Sequence, residues 1–112
     1  MSFAYEPGRA KSNLADEFAT CAAYYMLASQ GHDTLKNNDS LNRAIELSLH
    51  MSRGLSNDKV TLARLELSLK EMTKEIDFSW YNMSILINKY ADFCKNLLEK
   101  PEHRLMYWLN KN

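Results

Sequence analysis

The stretch 57–98, NDKVTLARLELSLKEMTKEIDFSWYNMSILINKYADFCKNLL, contains neither Gly nor Pro, and its reading decides the fold. Its apolar residues fall at Leu62, Leu65, Leu69, Met72, Ile76, Trp80, Met83, Leu86 or Ile87, Tyr90, Phe93 or Cys94, and Leu97. The steps alternate between three and four, the spacing that lines one face of an α-helix. Arg64, Glu66, Lys70, Glu71, Lys74 and Glu75 dress the other side, and Glu66 precedes Lys70 at helical pairing distance. Such a stripe is a core seam rather than a cofactor box. Unbroken, the helix would be about 63 Å long, whereas a globule of this size has a radius of gyration near 13 Å. Either the rod breaks at Ile76-Asp77-Phe78-Ser79, or it runs on and another molecule covers the protruding seam. Asp77 is a competent N-cap, and Phe78 and Ser79 propagate a helix poorly. The seam nevertheless keeps its phase from Ile76 to Trp80, so the expectation is one continuous, bent helix over 57–98.

Shorter elements flank this spine. Residues 1–11 carry Pro7 and Gly8 and read as an arm, which Phe3 and Tyr5 could pin to the body. A first helix is expected over 12–30, with Asp16 and Glu17 in its opening turn and Leu14, Phe18, Cys21, Ala22, Tyr25 and Ala28 on its face. Tyr24 and Tyr25 cannot both sit at the centre of that face. Gly31 is a natural stop, and His32 to Asn38 form a polar loop. Asp39 or Ser40 caps a second helix over 40–53, whose stripe of Leu41, Ala44, Ile45, Leu47, Leu49 and Met51 is wide enough to touch neighbours on more than one side. Gly54 ends it, and Ser56 or Asn57 caps the spine. Pro101 opens a short last helix over 101–109, where Leu105, Trp108 and Leu109 share a side that should fold back over the bundle. The fold class is therefore all-α: a single domain of three or four helices built on 57–98.

Composition narrows the function classes. With 14 Lys plus Arg against 14 Asp plus Glu, the formal charge of the 112-residue chain is zero. That argues against a nucleic-acid binder that works by neutralising phosphates. No run approaches the length of a membrane span. The N-terminus lacks the basic and apolar regions of a signal peptide, so a native start at Met1 implies the cytoplasm, and a removed leader implies export.

Catalytic patterns are absent from the sequence. His32, His50 and His103 stand apart, without the spacing of a metal site, and read as surface histidines. Asp16 with Glu17, and Glu71 with Glu75, are helix-surface carboxylates without the apolar surroundings that would raise a pKa for acid work. There is no phosphate-cradling Gly loop and no nucleophile elbow, so no catalytic, cofactor-binding or metal residue is assigned. Cys21 and Cys94 are either buried small hydrophobes or a disulfide between the first helix and the end of the spine. Such a bridge would close a loop of about 74 residues, stabilise by about 4.4 kcal/mol through chain entropy, and imply an oxidising compartment.

Cys21-Ala22-Ala23-Tyr24-Tyr25, the segment Ile87 to Asp92 with Cys94, and Pro101-Glu102 through Tyr107-Trp108-Leu109 together resemble a loose group of small bacterial and phage-associated helical proteins. Members of that group are often exported, which would suit a Cys21–Cys94 bridge, but the resemblance implies no activity.

Two functions remain. The first is a non-enzymatic protein–protein interaction module that associates with itself, or binds or inhibits another protein, through a helical surface that includes Tyr24, Trp80, Tyr81, Tyr107 and Trp108. The second is a small-molecule binder or enzyme with a pocket near Tyr25, Trp80, Met83 and Tyr90, where Tyr24, Asn82 or Asn88 would supply polar groups.

Overall fold

The computed structural model describes residues 7–31 and 39–111. Among them the chain forms five α-helices: α1 (Pro7–Gly31), α2 (Asp39–Leu55), α3 (Asp58–Glu75), α4 (Met83–Glu99) and α5 (Pro101–Leu109). A single 3-10 turn, Trp80–Asn82, precedes α4. Residues 7–11, expected in the arm, already belong to α1, because Pro7 is well suited to a first helical position. The pinning role expected of Phe3 and Tyr5, and the polar loop at 32–38, lie outside the described residues.

The 57–98 stretch is not one rod. It divides into α3 and α4, and the longest helix is instead α1, with 25 residues. Asp77 and Phe78 both adopt left-handed backbone, with φ of 53° and 57°. The Phe78 amide donates to the Thr73 carbonyl at 3.0 Å and the Asp77 amide to Lys74 at 2.9 Å. This is the Schellman arrangement that closes helix ends, a place where Gly is usual. Asp tolerates the conformation; Phe does so at a cost of about 1–2 kcal/mol. The surroundings hold it in place. Ile76 is buried, and its carbonyl accepts from the Ser79 amide at 3.0 Å and from Nδ2 of Asn82 at 2.9 Å. The folded molecule measures 52 Å along its longest axis, so an uninterrupted 63 Å rod would have projected from it.

The organising element is α1. From Ala10 to Ser29 it buries residues on almost every side, among them Ala15, Phe18, Ala19, Cys21, Ala22, Ala23 and Leu27. Its stretch from Phe18 to Gln30 carries no charge, the composition of a helix enclosed by its neighbours. On α2 the buried residues are Ser48 and Ser52, not the large aliphatics of the expected stripe, and Leu47 is exposed. Small side chains on α1 and α2 let the two helices approach closely. The Ser52 hydroxyl accordingly reaches the Ala15 carbonyl at 2.9 Å and lies 3.0 Å from the Thr61 hydroxyl of α3. Ser48 Oγ is buried with no hydrogen-bond partner among the described residues.

Polar ties fix α3 to α1 at the rim. Arg64 pairs with Asp16 at 2.6 Å and donates to the Ser12 carbonyl and hydroxyl at 3.1 and 3.0 Å. Asn57 caps α3 as expected, its Oδ1 accepting from the Val60 amide at 2.8 Å. Cys21 and Cys94 lie at disulfide distance, fully buried, with Cα atoms 5.5 Å apart, and bridge α1 to α4.

Candidate interaction surface

Three of the five aromatics expected at a surface lie elsewhere than on one common face. Tyr24 is buried, its ring 5.2 Å from that of Tyr25 and 5.9 Å from that of Tyr90. Burial pushes the phenol pKa of Tyr24 and Tyr25 up, Tyr25 also feeling Tyr24 and Glu99. Of the residues expected around a pocket, Met83 is buried and Tyr25 and Tyr90 pack half-buried against the same core, while Trp80 is exposed. Tyr107 and Trp108 belong to α5. Trp108 is half-buried, and its indole N–H donates to Oε1 of Glu17 at 2.7 Å.

Glu17 also receives Arg104, through Nε at 2.9–3.0 Å and Nη2 at 2.7 Å. One carboxylate in the third turn of α1 thus holds two side chains of α5. The Arg104 guanidinium lies 4.0 Å from the Tyr107 ring centre and 5.1 Å from that of Phe93. Tyr107 itself faces outward. Its pKa is lowered, first by the hydrogen bond from the Lys111 ammonium and then by that charge.

Trp80 and Tyr81 both lie at the α3–α4 corner, two and three residues after Phe78. Phe78 is 74% exposed, Trp80 46% and Tyr81 98%. At 150–250 Å² per aromatic side chain, these exposures amount to roughly 330–550 Å². Their summed exposure is comparable in area to the largest apolar patch of an ordinary monomer, a size often associated with function. Beside it, Leu69, Lys70, Thr73, Lys74 and Phe78 line a shallow, mostly apolar groove of about 270 Å³.

The corner is stiffened from both sides. Glu75, the last residue of α3, accepts from Lys89 at 3.1 Å and from the Tyr90 hydroxyl at 3.3 Å, both on α4. The bond to Glu75 raises the Lys89 pKa, and burial raises that of Tyr90. Ser79 Oγ accepts from the Tyr81 amide at 3.3 Å, starting the 3-10 turn. Phe78 was not among the residues expected at the surface. Its signal was local: a Phe directly after the one Asp able to end the helix.

Among the described residues, no group of three or more His, Cys, Asp or Glu side chains could hold a metal ion, and no helix is long and apolar enough to cross a membrane. No family model, curated protein or solved structure matches the chain.

Proposed function

We propose that this is a non-enzymatic interaction protein that docks onto another protein, or onto a second copy of itself, through the α3–α4 corner. The reading rests on one observation: Phe78, Trp80 and Tyr81 are displayed on a corner whose backbone is strained and hydrogen-bonded on both sides. Strain of about 1–3 kcal/mol per residue persists where surrounding structure over-determines it, and it concentrates at functional sites. Burying these rings in a partner would recover apolar surface that the fold leaves in water. Large aromatics presented on a fixed frame also lose little freedom on docking, which favours them as anchors.

The test combines light scattering with partner capture, using wild type and a Phe78→Ser, Tyr81→Ser double variant. Both residues are exposed, so the variant should fold. Self-association predicts a concentration-dependent mass that the variant abolishes. A foreign partner predicts a monomer that retains one protein which the variant does not. A monomer that captures the same proteins with and without the two rings refutes the reading.

A further inference from the structure

A second groove, of about 500 Å³, runs between the end of α4 and α5 and shares no residue with the aromatic corner. Its volume lies within the usual range of small-molecule sites, about 300–1,000 Å³. Phe93, Leu97 and Tyr107 give it apolar walls, while Lys100, His103 and Arg104 give it a basic side. Glu99 is the carboxylate in its lining.

Arg104 is the decisive group. A guanidinium carries five N–H donors in a rigid fork. Glu17 engages Nε and Nη2, which leaves Nη1 without a protein acceptor among the described residues. The fork is therefore held in position before any ligand arrives, braced by Glu17 on one edge and against the Tyr107 ring at 4.0 Å. Donors fixed in advance bind more tightly because less freedom is lost.

We infer that this groove binds a small organic anion with a flat apolar body, its acid group meeting Arg104 and Lys100 and its ring lying among Phe93, Leu97 and Tyr107. His103 adds a further donor to the acid end. Glu99 opposes the anion and sets an upper limit on affinity.

The test is a fluorescence titration of the full chain with 8-anilinonaphthalene-1-sulfonate, beside its uncharged parent N-phenyl-1-naphthylamine. Arg104 is left intact because it also holds α5. The sulfonate should bind once per chain, at least about tenfold more tightly than the neutral dye, the advantage expected of charge-assisted hydrogen bonds. Lys100→Gln combined with His103→Gln, both at exposed positions, should weaken the sulfonate by about tenfold and leave the neutral dye within about twofold. Glu99→Gln should tighten the sulfonate, and the Phe78→Ser, Tyr81→Ser variant should leave it unchanged. Equal binding of the two dyes, no binding of the sulfonate, insensitivity to the Lys100 and His103 changes, or loss in the corner variant would each overturn the assignment. The corner variant also separates this groove from the proposed docking surface, so either can fail alone.

Discussion

Replacing Glu17 by Gln removes the charge that fastens α5 to α1. The Glu17 and Arg104 side chains are 15% and 28% exposed, so their pair lies between two limits. A surface pair contributes about 0–1 kcal/mol, whereas breaking a buried one costs about 3–5 kcal/mol. The Trp108 indole also loses a charged acceptor, a bond of about 1.5–3 kcal/mol at full strength. A cost of about 2–3 kcal/mol is the expected balance. A helix of nine residues has little stability of its own, so the loss should appear as local undocking of α5 before global unfolding. At about 1.36 kcal/mol per factor of ten, the undocked population rises about 30- to 160-fold. Amide hydrogen exchange at Leu105 to Leu109 reads that factor directly, and the indole N–H resonance of Trp108 should move while that of exposed Trp80 stays. Exchange in α5 within about threefold of wild type would refute the role given to Glu17. So would an equal acceleration across α1.

Three further outcomes follow from the packing. Cys21→Ala with Cys94→Ala should lower the free energy of unfolding by about 2–4 kcal/mol in urea, the chain-entropy value of about 4.4 kcal/mol for a separation of 73 residues being an upper limit just above that range; an unchanged midpoint would mean that the bridge constrains nothing. Asp77→Gly should raise stability by up to about 1 kcal/mol, because Gly carries no left-handed penalty but loses more freedom on folding. A urea midpoint lower than that of the wild type would refute it. In alkali, the unfolded chain releases tyrosine protons near pH 10 while burial keeps Tyr24 and Tyr25 protonated higher. Their contribution is complete below pH 10 and declines as pH rises through the folded values, so stability should fall above about pH 10, and less steeply in Tyr24→Phe.

The helical class and most helix ends were legible because they depend on local chemistry. The Asn57 cap, the start at Pro101 and the seam from Leu65 through Met72, Ile76, Met83 and Leu86 to Leu97 all follow from spacing and capping alone. The break at Asp77 was visible only as an alternative. Left-handed closure is normally announced by Gly, and here two non-Gly residues adopt it under tertiary support from Asn82 and buried Ile76. The true spine was overlooked for a related reason. An Ala-rich helix such as α1 shows no stripe when it is enclosed all round, so the absence of charge from Phe18 to Gln30 was the signal, not a periodicity. Likewise Thr61 is buried where Leu62 was expected, because close approach of α2 favours a small hydroxyl beside Ser52. The Glu17–Arg104–Trp108 clamp joins residues 87 and 91 positions apart, and no local pattern announces such a pairing.

The most direct measurement of the docking claim places a photo-crosslinking benzoylphenylalanine at position 81 in the cells that make the protein, with the same probe at exposed Glu102 as the comparison. Docking through the corner predicts one discrete adduct from position 81, either a doubled mass or a single foreign protein, that is absent from position 102 and lost when Trp80 is changed to Ser. Irradiation that yields no adduct at 81, or the same products from both positions, would contradict it.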